Sequence, residues 1–171
     1  WCINPQTLQE RASYNVMTPQ RLLSHVRVDD LYFQATGGGI MFGGGEPALR
    51  SRFIEAFRAI CPKEWKINIE TSMNVPQEHL ERLMPVVDEY MIDIKDMNPR
   101  IYREYTGMGN EKVMSNLERL AAEGLADRCI IRIPLIPDFN TDEDRENSVR
   151  QLQEMGFTRF DRFDHIIKNN R

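Results

Sequence analysis

Residues 37–47 read Gly-Gly-Gly-Ile-Met-Phe-Gly-Gly-Gly-Glu-Pro. Six of the ten glycines in the chain fall in these eleven positions, so the demand for them is local. Glycine serves where the backbone must take a positive φ or approach another group closely. Between the triplets, Ile40-Met41-Phe42 is a short apolar strand, and Glu46-Pro47 opens a helix. A phosphate-binding P-loop needs Lys-Ser or Lys-Thr after its last glycine. Glu46-Pro47 stands there instead, and the glycine spacing does not fit a dinucleotide fingerprint. A carboxylate at a helix start also repels phosphate. It suits an ammonium group, as do backbone carbonyls at the open end of a strand. Two readings stand: a seat for an amine-bearing ligand, and a glycine-rich barrel corner with a capping glutamate.

Working outward, period-two alternation predicts strands at Lys66–Thr71, Tyr90–Lys95 and Cys129–Leu135, with a last strand starting within Phe157–Phe163. Helical spacing predicts helices from Thr18-Pro19, over Leu49–Ile60, Gln77–Val87, Asn110–Ala122 and Thr141–Met155. Thr141 and Asp144 have capping-box spacing, and Gly124 and Gly156 are stops. Asp29–Gln34 reads as a lead-in to the glycine run. Tyr105-Thr106-Gly107 reads as a turn before an N-capped helix at Asn110. His25 and His79 read as helix-surface residues. Alternating strand and helix point to parallel βα units. With 171 residues and no linker or repeat, one domain over 1–171 is expected.

The net charge of −4, without a basic run, argues against nucleic acid and a membrane surface as partners. No signal peptide or membrane span is visible. Three scattered cysteines suggest a reducing compartment, the cytoplasm, with Cys61 and Cys129 in core positions.

The strands carry a second pattern. Ile67 and Ile69 oppose Asn68 and Glu70; Ile92 and Ile94 oppose Asp93 and Lys95; Ile131, Ile133 and Leu135 oppose Arg132 and Pro134. A closed βα barrel fills its lumen with apolar side chains, and a helix-covered parallel sheet is apolar on both faces. Charges on such a face need partners. Glu70, Asp93, Lys95 and Arg132 either neutralise one another or grip something zwitterionic. The carboxyl ends of parallel strands are where βα proteins build sites.

The stretch 37–47 resembles the GGGVTFSGGEP signature of the activating enzymes of glycyl radical enzymes, radical S-adenosylmethionine proteins of the pyruvate formate-lyase activating type. Gly43 stands where serine is commoner. Further matches are Trp1-Cys2-Ile3-Asn4-Pro5, similar to the end of the family's CxxxCxxC motif; Glu70-Thr71, similar to its Asp-Thr; Asp93-Ile94-Lys95; Arg132 followed by Pro134–Asp138; and Tyr105-Thr106-Gly107 with Asn110. The resemblance implies a partial, open TIM-like barrel of parallel strands. It implies a [4Fe–4S] cluster with Cys2 as its third cysteine ligand. The chain starts at Trp1 rather than methionine, and the expectation is a piece of a longer protein, truncated at its N-terminus and inactive alone. By the same resemblance Gly43, Gly44, Gly45 and Glu46 hold the amino group of S-adenosylmethionine. Lys95 and Arg132 hold its carboxylate; Glu70, Thr71 and Asp93 shape the ribose side or a monovalent cation site. His165 is the candidate for a late histidine contact. The implied reaction is reductive cleavage of S-adenosylmethionine by the cluster, and hydrogen abstraction from a glycine of a partner enzyme. A flavodoxin or ferredoxin is the implied electron donor. The alternatives are another radical enzyme of this type acting on a small molecule, and a non-catalytic βα ligand-binding domain.

Overall fold

Strand and helix alternate along the computed structural model, which describes residues 15–164. The strands are β1 (Gly39–Phe42), β2 (Lys66–Thr71), β3 (Glu89–Asp93), β4 (Cys129–Leu135) and β5 (Phe160–Asp164). They follow one another in the sheet as β1-β2-β3-β4-β5. The pattern of one apolar and one polar face holds except at the end of β4, where Pro134 is buried and Leu135 only half-buried. Ile67, Ile69, Ile92, Ile94, Ile131 and Ile133 are fully buried, and Asn68, Glu70, Asp93 and Arg132 between them are only half-buried. The residues cluster into two units: one holds the chain up to Thr71 with Val75–Tyr90, the other Ser72–Asn74 with Met91 onward.

In the first unit, Thr18 caps helix α1 (Pro19–Val26), its Oγ1 accepting the Arg21 N–H at 3.2 Å. The lead-in expected at Asp29–Gln34 is instead helical: a 3₁₀ turn (Arg27–Asp29) runs into α2 (Asp30–Thr36). The sequence hides this helix because α2 has no buried residue, and Leu31 and Tyr32 lie open to solvent. Without a buried stripe there is no 3.6-residue signal to read. Gly37 ends α2 at φ +62, the left-handed conformation in which glycine carries no Cβ penalty. Strands β1 and β2 then pair in parallel, with Gly39 opposite Lys66.

Pro47–Arg50 forms a 3₁₀ turn, and α3 covers only Ser51–Arg58 of the expected Leu49–Ile60. Ile54 and Phe57 face the core; Phe53 is half-buried, and Ile60 lies exposed beyond the helix end. Helix α4 (Gln77–Leu83) also stops short of the expected Val87. Pro85 explains this: Met84 still donates to the Leu80 carbonyl at 2.9 Å, but a proline has no N–H with which to continue the ladder.

In the second unit β4 and β5 pair in parallel, with Arg132 opposite Asp161. Helix α5 (Pro99–Thr106) lies where only a turn was expected. Asn98 caps it, Pro99 occupies its first position, and Gly107 ends it at φ +75. Tyr105-Thr106-Gly107 is therefore a helix end. Helix α6 spans Glu111–Ala122. The capping role expected of the Asn110 side chain is not seen; its Nδ2 donates to the Met97 carbonyl at 2.9 Å instead. Helix α7 (Asp142–Glu154) starts with the expected capping box: Asp144 N–H donates to Thr141 Oγ1 at 3.2 Å, and Thr141 N–H to Asp144 Oδ2 at 2.9 Å. No helix among the described residues is long and apolar enough to cross a membrane.

Candidate functional site

The first unit gathers the glycine edge at the carboxyl end of β1. Gly44 and Gly45 take φ values of +76 and +58, so the chain turns there in a conformation that side chains disfavour. Glu46 Oε1 accepts two hydrogen bonds, from Ala48 N–H at 3.1 Å and from Thr71 Oγ1 at 2.6 Å. It caps the Pro47–Arg50 turn, so the capping role in the plainer reading of Glu46 is realised. The strand register sets Gly43 beside Glu70: a methyl group at Gly43 would lie 3.5 Å from Glu70 Oε2. The structure thus brings Gly43, Glu46, Glu70 and Thr71 to one place. Gly43, Gly44, Gly45 and Glu46 line an open cleft of about 1430 Å³, together with Phe42 and Phe53.

The second unit places the expected charges on the half-buried face of β3 and β4. Lys95 Nζ donates to Asp93 Oδ2 at 2.6 Å, and both side chains are 24% exposed. The other Asp93 oxygen is buried and has no hydrogen-bond partner among the described residues. Arg132 lies with its guanidinium carbon 4.9 Å from the centre of the Phe163 ring. Its Nε is 3.8 Å from Asp161 Oδ2, and one terminal nitrogen is 3.6 Å from Met91 Sδ. Of the charged-face alternatives, mutual neutralisation is seen between Asp93 and Lys95, while one Asp93 acceptor keeps unspent capacity. Tyr105 stacks edge-on against Phe139, ring centres 5.0 Å apart. Burial pushes its phenol up, and the Asp93 charge adds to this.

Behind Lys95 lies a polar network that the sequence reading missed. Asp96 is buried, and its Oδ1 accepts Asn98 N–H at 2.8 Å and Ser148 Oγ–H at 3.4 Å. Its Oδ2 accepts Asn140 Nδ2–H at 3.3 Å. Burial pushes the Asp96 carboxyl above its usual range, although the hydrogen bonds from Asn98, Asn140 and Ser148 oppose this. The one available signal was an acid at the next position after a strand-end lysine, which periodicity does not weigh. A second miss is His79. Its Nδ1 lies 2.9 Å from Oγ of the fully buried Ser51, so it tethers α4 to α3 and is not a plain surface residue.

Cys2, expected as a cluster ligand, and His165 lie outside the described residues. Cys61 and Cys129 are buried, as expected, and burial pushes the Cys61 thiol up. No group of three His, Cys, Asp or Glu among the described residues could hold a metal ion. Each unit offers its own set of polar groups. In the first unit an edge of left-handed glycines lies on an open cleft; in the second, Lys95 and Arg132 are cationic donors and Asp93 Oδ1 is an acceptor.

The family model of the radical SAM superfamily matches residues 1–152. The (2S)-3-sulfopropanediol dehydratase activating enzyme of Klebsiella oxytoca is 35% identical over 127 residues, 74% of this chain and 39% of that protein. The indoleacetate decarboxylase activating enzyme of Tractidigestivibacter scatoligenes is 33% identical over 130 residues, 75% of this chain and 40% of that protein. The pyruvate formate-lyase 2-activating enzyme of Escherichia coli is 33% identical over 129 residues, 74% of this chain and 42% of that protein. The chain spans about two fifths of the length of these curated relatives. Among solved structures, SuiB of Streptococcus suis bound to S-adenosylmethionine superposes with a TM-score of 0.65 at 16% identity, over 94% of this chain and 37% of that one. A domain of pyruvate-formate lyase-activating enzyme from Bacteroides vulgatus gives 0.52 at 20% identity, over 73% of this chain and 98% of that one. These two likenesses bear on the fold alone, and it is the expected partial TIM-like barrel of the radical SAM type.

Proposed function

The chain belongs to the radical SAM superfamily, and from that premise we propose that it is part of an activating enzyme for a glycyl radical enzyme. The observation that carries the reading is the glycine edge: Gly44 and Gly45 turn in the left-handed region along an open cleft, directly before Glu46. The three activating enzymes that match the chain at 33–35% identity support the reaction class.

In this reading residues 1–171 are one radical SAM domain of a longer protein. The carbonyls of Gly43–Gly45 and the Glu46 carboxylate take the ammonium group of S-adenosylmethionine, and Lys95 and Arg132 take its carboxylate. Both are charge-assisted contacts, the stronger kind of hydrogen bond. Asp93 Oδ1 accepts from a ribose hydroxyl or faces a monovalent cation, with Glu70 and Thr71 beside the glycine edge. When bound, S-adenosylmethionine supplies the radical chemistry; the chain fixes its orientation and keeps water from it. Cys2 is assigned as a cluster ligand in the complete protein. The protein substrate is a glycyl radical enzyme, the electron donor a flavodoxin or ferredoxin, and the compartment the cytoplasm.

The test uses the complete, cluster-loaded protein. Incubated anaerobically with candidate glycyl radical enzymes, S-adenosylmethionine and reductant, it is expected to raise a glycyl doublet in the electron paramagnetic resonance spectrum of one partner. Consumption of S-adenosylmethionine with a small molecule as the only modified product would overturn the reading. Lys95→Ala and Arg132→Ala are each expected to weaken S-adenosylmethionine affinity about tenfold by calorimetry, the scale of losing a hydrogen bond to a charged group. Unchanged affinity in both variants sets the site assignment aside.

A further inference from the structure

Asp93 and Lys95 share one side of the chain as it leaves β3; Ile94 and Asp96 share the other, at 0% and 2% exposure. The backbone on this stretch is anchored step by step. Ile94 N–H donates to the Arg132 carbonyl at 2.9 Å. Met97 N–H donates to Ser148 Oγ at 3.1 Å, and its carbonyl accepts Asn110 Nδ2–H at 2.9 Å. Asn98 N–H donates to Asp96 Oδ1. Asp96 also reaches Asn140, whose Oδ1 accepts Ile136 N–H at 2.6 Å and whose Nδ2 donates to the Pro134 carbonyl at 3.1 Å. Pro134 is two residues past Arg132 on β4. The Asp96–Asn140 bond therefore joins the segment that carries Lys95 to the end of the strand that carries Arg132.

We propose that Asp96 is a positioning residue, whose bond to Asn140 sets the spacing between Lys95 and Arg132 so that both cations reach one ligand carboxylate. The proposal rests on the reading of Lys95 and Arg132 as the carboxylate grip. A buried carboxylate is costly to maintain for packing alone. Here it spends its acceptor capacity on the backbone after Lys95 and on the side chain that closes the turn after β4. Two-point recognition of a carboxylate depends on small distances, so a shift of either cation loosens the grip.

The test compares variants of the complete, cluster-loaded protein in S-adenosylmethionine affinity by calorimetry and in melting temperature. Asp96→Asn keeps the volume and the acceptor for Asn98 and Ser148, but turns an amide donor toward the Asn140 amide donor. It is expected to weaken binding at least tenfold at a temperature where circular dichroism shows the native fold. Ser148→Ala leaves the Asp96–Asn140 bond in place; it is expected to lower the melting temperature while affinity stays within twofold. The double variant Asp96→Asn with Asn140→Asp reinstates a donor–acceptor pair across the same gap, while giving up the donation to the Pro134 carbonyl. It is expected to bind more tightly than Asp96→Asn, and supplies the readout if the single variant does not fold. Affinity within twofold of native in Asp96→Asn overturns the positioning role, as does a double variant that folds without regaining affinity. If Lys95→Ala also binds normally, the carboxylate grip itself has failed; if Lys95→Ala is weakened and Asp96→Asn is not, only the positioning role has failed.

Discussion

Gly39→Ala is expected to lower the melting temperature by roughly 10 °C, the equivalent of about 3–4 kcal/mol in a domain of this size. The register sets Gly39 opposite Lys66 in the parallel β1–β2 pair. A Cβ at Gly39 would lie 1.9 Å from the Lys66 carbonyl oxygen and 2.5 Å from its nitrogen. Neither is the flexible end of a side chain, so the two strands must separate or shift. Overpacking against side chains ordinarily costs about 1–3 kcal/mol, and a backbone that cannot yield belongs at or beyond the top of that range. Gly43→Ala is the matched control. Its new methyl would meet Glu70 Oε2 at 3.5 Å, an ordinary contact, and Gly43 has no positive φ. That variant is expected to stay within about 0.5 kcal/mol of the native chain. Thermal unfolding followed by circular dichroism compares the two, and equal melting temperatures would refute the close-approach explanation.

Trp65→Ala is expected to cost about 3–5 kcal/mol. Trp65 is 1% exposed and packs edge-on against Phe33, ring centres 5.0 Å apart at 81°. Its Nε1–H donates to Asp30 Oδ1 at 2.7 Å. The hydrogen bonds from Gln34 and then Trp65 hold the Asp30 carboxyl below its usual range. Because α2 buries none of its own residues, the indole supplies the contact that keeps this helix against the unit. Trp65→Phe retains a ring for Phe33 and loses only the polar end, so it should lose distinctly less stability than Trp65→Ala. Urea titrations read by circular dichroism measure both variants. Equal losses would mean that the ring contact contributes little.

The parts of the fold that were legible share a cause. Strands β2, β3 and β4 were visible because isoleucines alternate with polar residues, and a half-buried strand writes that period into its sequence. The capping box at Thr141 and Asp144 was visible because its partners lie three residues apart. Helix α2 left no trace because Leu31 and Tyr32 face solvent and only Phe33 packs inward, against Trp65. Helix α5 left little, because only Ile101 and Tyr102 of its eight residues are buried. The glycine run was legible as a demand for glycine, but the reasons differ by position. Gly37, Gly44 and Gly45 serve a positive φ, Gly39 serves a close strand approach, and Gly43 serves neither.

Short-range pattern was enough to show which residues alternate on β2, β3 and β4, that Thr141 starts a helix, and which strand ends carry Glu70, Asp93, Lys95 and Arg132. Those are short-range properties, fixed by backbone geometry over a few residues. What each of those groups touches is set by packing. It paired Lys95 with Asp93, laid Arg132 over Phe163, gave Glu46 two donors, and brought Asp96 to Asn140 and Ser148 across 44 and 52 positions of chain. Such partners meet because strands and helices pack. No local period records which buried carboxylate a distant amide will reach.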